Sequence, residues 1–398
     1  MNVSAPSKQT FRNPLALREI CLDANATTRP LDEVIGVVTA TMRGDGGNPS
    51  SAHWRGGIAR TLLEGARDDV TSLLPGTLPE GVIFTSGGTE ANNAILTPAG
   101  LDSSNITLLT TAVEHLSVLR PAERFARMGG KVVILPVSRN GMVDPDVLGK
   151  AVRNVAGTVL VSVQWANSET GVVQPIGRLT AAARGARPDV FFHSDVAQAI
   201  GRVRIDLATN EIDAATFSGH KLHGPQGIGA LVLRDPELKV APFILGGGQE
   251  RGLRSGTQNV AGAAGLGLAM RIRAAEFGTL VGRLGVMRET FEDTVLSLVP
   301  KARVNGFGAP RVPNTSNILF PGIEAMELVA RLEAKGLVCS LGSACSSARP
   351  EPSHVLLAMG LTETESFSCV RFSFSILNTL DEADRAALLV GETVGEIL

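Results

Sequence analysis

Between about residue 60 and residue 235 the chain alternates short apolar, β-prone runs with helix-like stretches, and this alternation constrains the fold more than any other feature. The runs are 82-VIFT-85, 106-ITLLTTAV-113, 132-VVILPV-137, 158-TVLVSV-163, 190-VFFHSDV-196 and 228-IGALVLR-234. Between them lie 89-TEANNAIL-96, 117-SVLRPAERFARMG-129 and 176-IGRLTAAARGA-186, which read as helices. Strands that are apolar throughout are buried on both faces, so the pattern predicts a mainly parallel central sheet with helices on either side. Two longer helix-like stretches follow, over 260–277 and 281–299, and the remainder mixes strands and helices. The reading is an α/β protein in two parts. A large domain covers 24–275, and a smaller α+β domain is made of 1–23 and 276–398.

The 398 residues are 44% hydrophobic and 19% charged, enough apolar content for a sizeable core. A net charge of −2 gives no basic excess to argue for nucleic acid, and no apolar stretch is long enough to span a bilayer. The first twenty residues lack a signal-peptide core, and they read as an ordinary cytosolic N-terminus. Four cysteines, none in a C-x-x-C pair, make neither a disulfide framework nor a metal motif, and a reducing, cytoplasmic setting is expected.

Four segments carry chemistry. In 216-TFSGHKLHGPQGIG-229, Lys221 stands between two histidines in a glycine-rich bend. A lysine held in apolar surroundings near other cations loses basicity and becomes a nucleophile able to form a Schiff base; the plain alternative is a turn. Ser218 and His220 suit a phosphate ester. In 193-HSDVAQAIG-201, Asp195 ends a strand at the sheet edge where α/β proteins place ligands, or else caps a helix. It precedes Lys221 by 26 residues, room for one helix and one strand. In 84-FTSGGTEANNAI-95, a Ser-Gly-Gly turn opens a helix whose first N–H groups are free for an anion, or simply capped. In 340-SLGSACSSAR-349, Cys345 sits among small polar residues fenced by Pro350 and Pro352. That reads as an exposed, flexible loop, a setting for a working thiol and not for a core cysteine.

Together these blocks resemble the cysteine desulfurases, a class-V branch of the fold-type I pyridoxal-phosphate (PLP) enzymes. The resemblance also includes 22-LDANATTRP-30, 47-GNPSSAH-53, 114-EHLSVL-119, 169-ETGVVQP-175, 246-GGGQERGLRSGT-257 and 369-CVRFSFS-375. The GSAC loop followed by EPSHVL is similar to the nitrogen-fixation and iron–sulfur-assembly branch. The resemblance implies that Lys221 binds PLP covalently, that His115 stacks on the ring and assists proton transfer, and that Asp195 pairs with the ring nitrogen. It implies that Gln198 bonds near the phenolic oxygen and that Gly88, Thr89, Ser218 and His220 hold the phosphate. Thr257 then reaches the phosphate of a partner subunit in a homodimer, Arg371 clamps the substrate carboxylate, and Cys345 attacks the sulfur of L-cysteine for delivery to an acceptor protein. Cys21, Cys339 and Cys369 read as structural, and Trp165 as packing near the site. One departure stands out: the turn before Glu169 carries Asn167-Ser168 where the family has two asparagines, so the bond to the phenolic oxygen is expected to weaken, to run through water or to pass to Asn167. A selenocysteine lyase, a small-amino-acid aminotransferase, or a sulfur-transfer scaffold with little turnover are the competing readings.

Overall fold

The computed structural model describes residues 19–44, 46–96, 105–341 and 351–398. A two-residue strand, β1 (Ile20–Cys21), and two helices, α1 (Asp32–Arg43) and α2 (Trp54–Thr71), lead into the alternating region. There follow β2 (Val82–Thr85), α3 (Gly88–Leu96), β3 (Ile106–Thr111), α4 (Leu116–Arg127) and β4 (Lys131–Leu135). Next come α5 (Pro145–Arg153), β5 (Thr158–Ser162), α6 (Ile176–Ala186), β6 (Phe191–Asp195), β7 (Ala214–Ser218) and β8 (Gly229–Leu233).

The seven strands form one sheet in the order β2-β8-β7-β6-β5-β3-β4. Only β8 runs against its neighbours, so the sheet is mainly parallel, as the apolar runs predict. Successive side chains of one strand serve opposite cores. Val82 and Phe84 pack with α2, α5, α6 and α7 (Val260–Ala275), whereas Ile83 between them packs with α3 and α4. Covering both faces leaves the strand ends as the place for ligands.

Two expectations needed correction here. Strand β7 was not among the apolar runs, because Ala-Ala-Thr carries little bulk, yet it sits near the middle of the sheet with Ala214 and Ala215 fully buried. And the 26-residue path from Asp195 to Lys221 contains no α-helix; turns bridge β6 and β7. Asp206 braces them, accepting from Thr209 N at 2.9 Å, and Gly201 takes a positive φ of 69°.

After α7, one residue separates it from α8 (Phe277–Leu298). The rest comprises β9 (Arg303–Val304), β10 (Thr315–Leu319), α9 (Ala325–Ala334), β11 (Leu337–Val338), β12 (Ser340–Leu341), α10 (His354–Ala358), α11 (Glu363–Ser366), β13 (Cys369–Ser373) and α12 (Leu380–Ile397). A four-stranded antiparallel sheet, β12-β13-β10-β9, packs with α8, α9 and α12 around a separate core that includes Phe291, Phe320 and Phe372. Ile20 and Leu22 belong to that core, and β1 pairs with β11. Cys339 and Cys369 are buried, as a structural role requires, but Cys21 is exposed. Among the described residues no helix is long and apolar enough to cross a membrane, and no cluster of His, Cys, Asp or Glu is arranged to hold a metal ion.

Candidate active site

Parallel strands end on the same edge. β2, β6 and β7 bring Thr85, Asp195 and Ser218 there, and the turns beyond β3 and β5 add His115 and Asn167.

Lys221 closes a single 3₁₀ turn, Gly219–Lys221, that follows β7. Its Nζ donates to the backbone oxygens of Asn25 and, at 2.6 Å, Ala26. Among the described residues no carboxylate bonds it. Burial, then the nearby Arg202 and Arg371, bring its pKa down to about 8 despite the opposing pull of Asp23 and Asp195. This is the depressed, nucleophilic lysine that the sequence suggests.

A cavity of about 350 Å³ opens beside it, lined by Thr27, Ser86–Glu90, Ser218, His220, Gln226 and Gly227. The start of α3 forms one wall, and Gly88 N donates to Ser218 Oγ at 2.7 Å. The turn lies tight against the sheet: a Cβ on Gly229 would stand 2.7 Å from Gly87 Cα. Across the cavity His220 Nδ1 meets Thr27 Oγ1 at 3.0 Å. Burial and the Lys221 charge press the His220 pKa down to about 4, so its ring is neutral near pH 7. Glu90 puts a carboxylate in the wall. Arg254 Nε at 2.9 Å and Ser86 N at 2.8 Å hold it, and they outweigh its burial and lower its pKa. A buried ion pair between Arg67 and Glu250 ties the Arg254 loop to β2, with Glu250 also accepting from Phe84 N at 2.8 Å.

On the other side of Lys221, Asp195 accepts from Asn92 Nδ2 and Ala197 N at 2.8 and 2.9 Å. Gln198 donates to Asn25 O at 3.0 Å and accepts from Arg202. His115 caps α4, its Nδ1 contacting Ser117 Oγ at 2.7 Å and accepting from Ser117 N at 3.0 Å. Desolvation lowers its pKa, Asp195 opposes that, and Lys221 and His354 add to it. Arg371 is buried on β13, paired with Asp23 at 2.7 Å and donating to Ser168 O at 3.3 Å; among the described residues its buried Nε has no partner.

The class-V aminotransferase family matches this chain over residues 20–386. A cysteine desulfurase of Trichormus azollae is 39% identical over 376 residues, covering 94% of this chain and 92% of its own. That of Bradyrhizobium diazoefficiens is 40% identical, with 94% of both chains covered. The chain belongs to the cysteine desulfurases of the class-V aminotransferase family. A solved NifS-like protein superposes on it with a TM-score of 0.85 at 33% identity, over 96% of this chain and all of the other.

Within that family the cofactor is PLP, and the site suits it chemically. A lysine amine of lowered basicity, held by backbone carbonyls, lies between a helix-start cavity on one side and the Asp195 carboxylate on the other. Of the residues singled out by sequence, Gly88, Thr89, Ser218 and His220 share the cavity, and Lys221, Asp195, Gln198, His115 and Arg371 gather beside it. Thr257 is exposed and stands outside the wall of that cavity. Asn167 is occupied with its own turn. Its Oδ1 accepts from Glu169 N, Thr170 N and Thr170 Oγ1, and its Nδ2 donates to Val113 O at 3.0 Å. Half-buried Ser168 is the more open of the two. Cys345 lies outside the described residues.

Sequence reasoning gave no role to Asp23, Asn25, Thr27, Asn92 or Gln226. Asn25 is the most connected: beyond its carbonyl contacts, its Nδ2 donates to Ser168 O and Thr315 Oγ1 at 3.0 and 2.9 Å, tying the first strand region to both sheets. The block 22-LDANATTRP-30 is the signal that contained three of these five.

Proposed function

We propose that the protein is a PLP-dependent cysteine desulfurase that converts L-cysteine to L-alanine and keeps the sulfur as a persulfide on Cys345. The observation that carries this reading is the Lys221 amine: buried, bonded to backbone carbonyls, and held at a pKa of about 8 between an anion-suited cavity and Asp195.

Bound PLP supplies an electron sink for the bond-breaking at the substrate's α-carbon. Lys221 holds the cofactor and, once free, its amine takes the α-proton, for which a pKa near 8 is well matched. Asp195 would hold the ring nitrogen protonated, and Gln198 and Ser168 would serve the phenolic oxygen. Gly88, Thr89, Ser218 and His220 hold the phosphate. Thr257, which is exposed and outside its own chain's cavity, would serve the phosphate of a second copy in a homodimer, as in the family that the chain belongs to. Arg371 would receive the substrate carboxylate, for which its guanidinium fork is suited. His115 moves a proton at the substrate. The Cys345 thiolate attacks the substrate sulfur, so the C–S bond breaks, an S–S bond forms and the β-carbon gains a proton. Cysteine and thiol thus become alanine and persulfide. The small domain, residues 1–23 and 276–398, carries the cysteine, and a sulfur-acceptor protein of iron–sulfur assembly or thiolation collects the sulfur in the cytoplasm.

The test is to purify the protein, record its visible spectrum and assay alanine from L-cysteine with a reducing thiol. A yellow protein that forms alanine and sulfide in equal amounts supports the reading; a yellow protein that forms neither overturns it.

A further inference from the structure

Asn92 is fully buried on α3 and sits where two arms of the site meet. Its Nδ2 is 2.8 Å from Asp195 Oδ2 and 2.8 Å from Ser117 Oγ, whose hydroxyl is 2.7 Å from His115 Nδ1. Behind it, Thr216 Oγ1 on β7 bonds Asn92 Oδ1, and His193 Nε2 lies 3.0 Å from the same hydroxyl. His193 Nδ1 meets Ser162 Oγ at 2.9 Å.

The chemistry of these groups allows one direction for every proton. A carboxylate accepts, so the atom facing Asp195 is the amide nitrogen, and its second hydrogen goes to Ser117. Asn92 Oδ1 then accepts from Thr216, which in turn accepts from His193 Nε2–H. His193 Nδ1 is left to accept from Ser162. That requires a neutral His193, and its complete burial drives its pKa down to about 3. At the other end Ser117, having accepted from Asn92, donates to His115 Nδ1, which the Ser117 backbone N–H also serves. Neutral His115 therefore carries its proton on Nε2. The charged groups acting on it are Asp195, Lys221 and His354.

We infer that Asn92 is a positioning residue of this active site, whose two amide hydrogens orient Asp195 and His115 together. Each of its donors and acceptors is used once, and the groups behind it, Thr216, His193 and Ser162, are buried and back it from the sheet. The inference rests on the reading that Asp195 and His115 face bound PLP, and it adds a residue that makes no contact with the reacting atoms. A buried polar network satisfied at every member fixes geometry, and removing a member disturbs all of it.

The decisive variant is Asn92→Asp, which keeps size and the Thr216 contact while removing both donors. In the holoenzyme it is expected to lower kcat for L-cysteine by about 10-fold or more with KM little changed, the loss typical of an outer partner to a reacting group. The midpoint of the bound cofactor's visible pH titration is expected to move, while Asn93→Asp, on the exposed side of the same helix, leaves it in place. An Asn92→Asp protein with bound PLP, unchanged titration and unchanged kcat overturns the inference. If that variant does not fold, Ser117→Ala decides: it cuts only the His115 arm, and an unchanged kcat together with an unchanged His115 ¹⁵N NMR spectrum overturns the inference. Wild-type protein that binds PLP but forms no alanine sinks the proposed reaction and leaves the titration comparison intact. The same ¹⁵N spectrum of wild type, if it shows Nδ1 of His115 protonated, overturns the network whatever the activity.

Discussion

The Lys221 amine donates to the Ala26 carbonyl at 2.6 Å, across 195 residues of chain, and finds no carboxylate to pair with among the described residues. A cation so placed is stabilised by two dipoles and opposed by burial and two arginines, and its pKa falls to about 8.

Covalent capture of PLP requires the neutral amine. The fraction of neutral Lys221 rises as pH climbs through about 8, so the rate of cofactor uptake by apoprotein should rise between pH 7 and 9 and level off above. Stopped-flow absorbance reads this directly. A rate still climbing steeply at pH 10, where an ordinary lysine titrates, would contradict the assigned pKa. Lys221→Ala should abolish both the covalent chromophore and turnover.

Asp23 and Arg371 form an ion pair at 2.7 Å. Asp23→Ala strips a buried guanidinium of its counterion. The expected cost is about 3–5 kcal/mol of stability, measured by denaturant unfolding. Arg371→Lys loses the fork geometry, so KM for L-cysteine should rise far more than kcat falls. Equal KM for variant and wild type would remove Arg371 from substrate binding.

Glu114 is fully buried, its oxygens accepting from Gln164 N and Thr111 Oγ1, yet desolvation outweighs these donors and raises its pKa to about 8. In the unfolded chain it titrates near 4.5. Between those values the folded protein holds a proton that the unfolded chain has lost, so this group's stabilisation is full below about pH 4.5 and fades as pH rises through 8. Glu114→Gln, which mimics the protonated acid, should flatten the stability–pH curve over that window. An unchanged slope would show that the carboxylate is ionised in the fold.

The sheet was legible because strands buried on both faces are mostly apolar, as the Val-Ile-Phe of Val82–Thr85 and the Val-Leu-Val of Thr158–Ser162 are. β7 escaped that rule. Crowded between β6 and β8 and beneath α3, it uses Ala214 and Ala215, residues that give no strand signal. Lys221, Asp195 and the start of α3 were legible since each pairs a reactive or anion-binding group with a strand end. Asn25 and Ala26 were not, because they hold Lys221 through backbone carbonyls, which every residue possesses. Asn92 looked like a helix-interior residue, and only the fold brings it within 2.8 Å of Asp195, 103 positions away. Nor could the sequence show that the turn itself engages the Asn167 carboxamide, because that depends on the backbone of Glu169 and Thr170.

The central claim is that sulfur passes from L-cysteine to Cys345. Mix the PLP-bound protein with one equivalent of L-cysteine, omit reducing thiol, and map the added sulfur by mass spectrometry of its peptides. The account predicts one extra sulfur atom on Cys345, one alanine released per site, and neither in Cys345→Ala, which should keep its yellow colour. Alanine formed at wild-type rate by Cys345→Ala, or sulfur found on Cys339 or Cys369, whose buried thiols are pushed up to about 12, would contradict it.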